Sequence, residues 1–235
     1  MRFDLYGDKI GAVEYVSHMG SDLSVVNAAR VSFGSKRDEL NEKDIKLINY
    51  LMQHNHTSPF EHCTITMRFT VPLFIRSQHH RHRTWAYNEI SRRYTSVDMQ
   101  FYQPKEFRTQ HKSNRQASED KLINPLVSFR DSYQVGHSGY AARLVENHHA
   151  TSMTLYQSLL NSGVCREQAR GVLPQNLYTQ YYGTANLHNL LKFVSLRSHD
   201  GAQWEIQRVA QACLAIAREH FPESIKAYEK KHMEL

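Results

Sequence analysis

Cys63-Thr64-Ile65-Thr66-Met67-Arg68-Phe69-Thr70-Val71-Pro72-Leu73-Phe74-Ile75 is the stretch on which the architecture turns. Cys63, Ile65, Met67 and Phe69 alternate with Thr64, Thr66, Arg68 and Thr70. A period of two, apolar on one face and polar on the other, predicts a half-buried antiparallel strand. Pro72 then opens a helix through Leu73, Phe74 and Ile75, whose far end delivers Gln78 and Arg81. A rigid strand and helix therefore lead into the most highly charged part of the chain, as holding a ligand requires.

That part is Arg81-His82-Arg83-Thr84-Trp85-Ala86-Tyr87-Asn88-Glu89-Ile90-Ser91-Arg92-Arg93-Tyr94. Four arginines in fourteen residues repel one another unless an anion sits among them. A guanidinium forks two parallel hydrogen bonds onto phosphate or carboxylate, which lysine cannot do. With Trp85, Tyr87 and Tyr94 interleaved, the residues suit a pocket for a phosphorylated aromatic small molecule. Glu89 is then placed to take a sugar hydroxyl or orient an arginine. The competing readings are a solvated basic face or a grip on nucleic-acid phosphates. Two features favour the small molecule: the charges are nearly all Arg, and Asn88-Glu89 interrupts them where a nucleic-acid patch gains nothing from a carboxylate.

Upstream, His54-Asn55-His56-Thr57-Ser58-Pro59-Phe60-Glu61-His62 raises a metal-site reading through His54, His56, His62 and Glu61. Pro59 breaks any helix that sets ligands four apart, and no H-E-x-x-H arrangement is present, so no metal is expected.

Arg81-His82-Arg83, seven residues, Ser91 and then Arg93-Tyr94 resemble the signature of the flavin-dependent thymidylate synthases, with Ala86 where the longer pattern has serine. The loop ending Ser58-Pro59-Phe60-Glu61-His62 is similar to the family loop that touches the flavin. Ala169-Arg170, Leu173-Pro174, Tyr178-Thr179, Asn186, Leu196-Arg197 and Ala202-Gln203-Trp204-Glu205-Ile206 follow in the family's order and spacing. The likeness runs from about Ser21 to Phe221, with 103–140 dissimilar.

The resemblance implies an α+β (mixed α/β) fold with a central, mostly antiparallel sheet flanked by helices. It also implies a homotetramer whose active sites are shared between subunits. The implied reaction is reductive methylation of dUMP: methylenetetrahydrofolate supplies the carbon, FAD the hydride, and NADPH the reducing power. Gln78, Arg81, Glu89, Ser91, Arg92, Arg93, Arg170 and Arg197 match positions around dUMP. Arg197 matches the residue assigned to activating the uracil; Ser91 and Glu89 complete the candidate catalytic set. For FAD, the matching positions are Ser32, His56, Ser58, Glu61, Arg81, His82, Arg83, Glu89, Asn186, His188 and Lys192. His188 stands for an arginine, Lys192 for an asparagine or histidine, and His79 for a tryptophan. Ser91 lacks a base partner in the motif, so it is not expected to act as a nucleophile.

At 235 residues, 40% apolar and 22% charged, the chain is expected to be one globular domain spanning 1–235. The excess of 29 basic over 23 acidic residues favours anionic partners. Cys63, Cys165 and Cys213, widely spaced and unpaired, suit a reducing cytoplasm. Met1-Arg2-Phe3-Asp4 carries no signal pattern and no apolar run reaches membrane-spanning length, which points to a soluble protein without a membrane partner. Along the chain, residues 11–16 read as a strand and Ser21 as the cap of a helix that stops at Gly34. Asn41 caps a second helix with Ile45, Ile48 and Met52 on one stripe. Polar residues 103–125 read as a surface insertion. Residues 126–161 read as mostly helical, with Leu144, Val145, Met153, Leu155, Tyr156, Leu159 and Leu160 as core candidates. A strand over 176–184, a helix capped by Asn186, and a helix from Gln203 to Phe221 stopped by Pro222 complete the reading.

Overall fold

The computed structural model describes residues 1–233. In chain order the elements are β1 (Arg2–Asp4), β2 (Ala12–Met19), α1 (Asp22–Arg30), α2 (Glu42–Gln53), β3 (Thr64–Pro72), α3 (Leu73–His79) and β4 (Ala86–Glu89). Then come β5 (Phe107–Gln110), β6 (Ser118–Ile123), β7 (Leu126–Arg130), β8 (Gly136–Tyr140), α4 (Ala141–Asn161) and α5 (Arg166–Ala169). The chain finishes with β9 (Tyr178–Asn186), α6 (Leu187–Arg197), α7 (Trp204–His220) and α8 (Pro222–Met233). Two compact units emerge. The first comprises Met1–Thr70, Gln78–Asn88 and the chain from Gln180 onward; the second comprises Val71–Ser77 and Glu89–Thr179.

The first unit holds a five-stranded sheet in the order β1-β2-β3-β9-β4, apart from the end residues of β3, β9 and β4. β2 pairs antiparallel with β1 and with β3, Val13 lying opposite Phe69. Thr66 meets Thr184 (2.8 Å) and Thr70 meets Gln180 (3.3 Å), an opposed order that makes β3 and β9 antiparallel too. The alternation expected over 63–70 is present: Cys63, Ile65, Met67, Phe69 and Val71 are buried, and the intervening residues are not. Gly183 on β9 is required where it stands, because a Cβ there would lie 2.9 Å from the Phe69 ring and 3.3 Å from Trp85.

Helices α6 and α7 pack together, α7 lies on β2, and α2 packs on α8. Asn41 caps α2 as expected: its Oδ1 accepts from the Lys43 and Asp44 N–H groups (2.9 and 3.2 Å). Asp44 accepts in return from the Asn41 N–H (3.2 Å) and, fully buried, receives Arg30 at 2.6 Å. Pro222 ends α7 but also begins α8, a helix the sequence reading did not include. Proline fits the first helical position because its missing N–H has no partner to lose there. Buried Asp22 of α1 then accepts from the Glu223 and Ser224 N–H groups (2.8 and 2.9 Å), caring for the orphan donors of α8.

The second unit holds two hairpins, β5–β6 and β7–β8, followed by α4 and α5. The mostly helical reading of 126–161 is corrected here: 126–140 is a hairpin and the helix begins at Ala141. Asp131 decides this, its Oδ1 accepting from the Tyr133 and Val135 N–H groups (2.9 and 3.0 Å) and closing a turn with Gln134 at φ 64°. On α4 the buried stripe is His149, Ser152 and Tyr156, so of the seven core candidates only Tyr156 is fully enclosed. Leu155 is 47% exposed. The polar 103–125 segment forms the mostly exposed β5–β6 hairpin.

Candidate functional site

The second unit encloses a cavity of about 570 Å³, within the range of small-molecule sites. Leu73, Ile90 and Leu177 supply apolar wall, and Arg76, Arg92, Arg93 and Arg170 bring four guanidinium groups against one carboxylate, Glu89. Ser91 begins a tight turn in which its carbonyl accepts from the Tyr94 and Thr95 N–H groups (3.0 and 3.2 Å) and its hydroxyl accepts from the Arg93 N–H (3.3 Å). That turn presents Arg92 and Arg93 side by side. Arg92 donates to the Val97 carbonyl (2.7 Å) and the Tyr178 carbonyl (3.4 Å), while its buried Nε–H has no acceptor among the described residues. Burial lowers its pKa, partly offset by Tyr156 and Asp98. Arg93 lies over the Tyr94 ring, and Arg170, just past α5, donates to the Glu167 carbonyl (3.3 Å). Such an excess of positive charge beside an apolar wall suits a phosphorylated ligand.

In the first unit, a turn follows α3. The Tyr87 hydroxyl donates to the His79 and His82 carbonyls (2.9 and 3.1 Å) and so fixes the turn that carries exposed Arg81. Gln78 donates to Gln203 (2.5 Å). Arg197, at the end of α6, donates from Nε to His82 Nε2 (3.1 Å). His82 must therefore be neutral at that nitrogen. Its pKa falls to about 4, first through burial and then through Arg197 and Lys192. Burial also lowers Arg197.

His79, in the position where the family resemblance expects tryptophan, is wholly buried. It is ringed by Phe69, Trp85 and Phe193 at 4.6–4.7 Å and joined to the Tyr181 hydroxyl at 2.8 Å. Burial pushes it well below the usual histidine range, with His82, His80 and Arg197 adding to the effect. It is a core residue and offers no stacking face to a ligand.

A second cavity of the first unit, about 250 Å³, has a floor of Leu51, Met52, Phe60 and Leu191. His188, Lys192 and Lys231 bring nitrogen to its walls. Lys231 was not expected from the sequence; it donates to the Met52 carbonyl (2.8 Å) and Asn55 (2.6 Å). Asn186 commits its Oδ1 to the Asn189 N–H (2.8 Å) as the helix cap. Ser32, His56, Ser58, Glu61 and Arg83 are exposed and line neither cavity.

Among the described residues, no group of three or more His, Cys, Asp or Glu is placed to hold a metal, and no helix is long and apolar enough to cross a membrane. Burial drives the Cys63 thiol up to about 11 and Cys213 higher still; Cys165 is exposed.

The fold is α+β, and its two described cavities are lined largely by positively charged side chains over apolar wall. Residues 14–223 match the family model described as thymidylate synthase complementing protein. The chain is 42% identical over 226 residues to the flavin-dependent thymidylate synthase of Thermus thermophilus, covering 95% of this chain and 77% of that one. It is 41% identical over 222 residues to the Thermotoga neapolitana enzyme of the same name, covering 94% and 91%. Among solved structures, the UMP/dUMP methylase PolB from Streptomyces cacaoi bound with 5-Br dUMP superposes with a TM-score of 0.78 at 34% identity over 97% of both chains. Its complex with 5-Br UMP gives 0.76 at 32% over 93% of both. The chain belongs to the flavin-dependent thymidylate synthase family.

Proposed function

We propose that this protein methylates dUMP to dTMP, with 5,10-methylenetetrahydrofolate as carbon donor and NADPH as the source of reducing power. The single observation that carries the proposal is the cavity in which Ser91, Arg92, Arg93 and Arg170 surround space for an anion beside Glu89. Family membership and the likeness to a UMP/dUMP methylase support the substrate. Arg93 and Arg170 hold the phosphate; Arg92, braced by two carbonyls, holds charge at a fixed place; Glu89 accepts from a sugar hydroxyl. Gln78 and Arg81 are assigned to the nucleotide by the family resemblance alone.

Arg197 does the electronic work. Its Nε is committed to His82, which leaves both terminal nitrogens to donate to a uracil carbonyl oxygen and to N3 in its deprotonated form. Positive charge there stabilises negative charge on the ring and raises electron density at C5. The reaction then needs no thiol addition at C6, in keeping with two thiols that burial keeps protonated. Neutral His82 keeps Arg197 aimed.

FAD, when bound, supplies the hydride that turns the transferred methylene into a methyl group. His188, Lys192 and Lys231 over an apolar floor suit the phosphates and flat rings of such a dinucleotide. Ser32, His56, Ser58, Glu61, Arg81, His82, Arg83, Glu89, Asn186, His188 and Lys192 would hold it. The exposed members of that set fit a site completed by neighbouring copies in a homotetramer. Residues 1–235 act as one synthase domain, with 103–125 as a surface insertion, and three free cysteines suit the cytoplasm.

Anaerobic incubation of the protein with FAD, NADPH, dUMP and methylenetetrahydrofolate should yield dTMP. A colourless protein that binds no added FAD and makes no dTMP refutes the proposal. Nucleic-acid binding that falls steeply with salt and ignores dUMP would instead favour the polynucleotide reading of the arginines.

A further inference from the structure

Among the described residues, Glu89 is the one carboxylate that lines the large cavity, which it shares with four guanidinium groups. A mobile carboxylate in that setting swings onto an arginine and fills the place of the incoming anion. Something must restrain it. The Thr179 hydroxyl, on a side chain only 4% exposed, donates to Glu89 Oε1 at 2.6 Å. Arg76 Nε lies 3.3 Å from the same oxygen as an ion pair, and that buried N–H has no aligned hydrogen-bond acceptor among the described residues. The three residues come from α3, the end of β4 and the start of β9. All lie in the second unit.

We propose that Thr179 and Arg76 are positioning residues that clamp Oε1 of Glu89. The clamp keeps the carboxylate off the phosphate-binding arginines and leaves Oε2 to accept from the hydroxyl of a phosphorylated sugar. The inference rests on the dUMP reading of the cavity and deepens it: the site takes a nucleoside monophosphate through two poles of opposite sign, held apart by this clamp. An ion pair alone leaves a carboxylate free to choose among arginines. The short, directional hydroxyl bond sets which oxygen is spent. Because Thr179 sits within a strand, its hydroxyl is aimed by hydrogen-bonded backbone.

The test compares Thr179→Val, Thr179→Ser and Arg76→Gln in the full chain with FAD supplied, reading dUMP binding by calorimetry and steady-state dTMP formation. Thr179→Val keeps the side-chain shape and removes the hydroxyl that donates to Glu89. Its Kd and KM for dUMP should rise at least tenfold with kcat within about twofold, while Thr179→Ser stays within threefold of wild type. In a Glu89→Gln background the Thr179→Val effect should shrink below twofold, because an amide is not drawn onto the arginines. Equal dUMP affinity in wild type and Thr179→Val, equal losses in the Val and Ser variants, or a fully additive double variant would each overturn the clamp. Should Thr179→Val fail to fold, Arg76→Gln, whose side chain is about one-third exposed, is read against the same thresholds. A wild-type protein that binds no dUMP sinks the functional reading itself, a result distinct from a wild type that binds and variants that match it.

Discussion

Acidification should loosen this protein through His82. The folded ring has its pKa lowered from 6.5 to about 4, whereas the unfolded ring titrates near the ordinary value. Between those values the unfolded chain binds a proton that the folded chain refuses, so stability rises with pH across the window. The contribution is complete above about 6.5 and is lost as pH falls through about 4. A shift of that size is worth at most about 3 kcal/mol. The ring is only partly buried, and screening by solvent reduces the figure to about 1–2 kcal/mol. The perturbation is His82→Gln, which keeps a hydrogen-bond acceptor for Arg197 but does not titrate. Urea unfolding followed by circular dichroism at pH 7.5 and 4.5, at one protein concentration, gives the change in stability for each protein. Wild type should lose about 1–2 kcal/mol more than the variant over that interval. Equal losses would show that His82 is not held neutral by its neighbours, and the argument for its pairing with Arg197 would fall with it.

Arg197→Lys should preserve the fold but reduce dTMP formation at least tenfold, about 1.4 kcal/mol of barrier, because an ammonium cannot address His82 and two uracil atoms together; near-normal turnover in a product assay would refute the assigned role. Ser91→Ala should retain measurable turnover, since among the described residues the hydroxyl meets the Arg93 N–H and no base; complete loss of turnover with dUMP binding intact would make Ser91 a nucleophile after all. Gly183→Ala should cost about 1–3 kcal/mol in urea unfolding, because the new methyl would press on Phe69 and Trp85, and an unchanged midpoint would mean the sheet yields there.

Much of the first unit was legible from local pattern. The alternation of 63–70, the Asn41 cap and the Asn186 cap are properties of adjacent residues, and each appears in the structure where expected. Failures came where short-range rules tie. Leu126 to Arg130 reads as part of the helix that follows, yet the turn bonds of Asp131 make it one arm of a hairpin. Pro222 reads as a stop, yet it serves as the start of α8 once buried Asp22, some two hundred residues earlier in the chain, receives its N–H groups. His79 stands where the resemblance expects tryptophan, and only the packing of Phe69, Phe193 and Tyr181 shows that it is enclosed.

By itself the sequence determined the family and the alternating strand and singled out Arg92 and Arg93, because each resides in residue type and near spacing. Tertiary structure alone decided that Arg197 is braced by a neutral His82, that Lys231 joins His188 and Lys192, and that Thr179 and Arg76 converge on Glu89. Such partners lie tens to more than a hundred residues apart. Their meeting depends on how strands and helices pack, and burial in that packing, rather than residue identity, sets the charge state of the histidine between them.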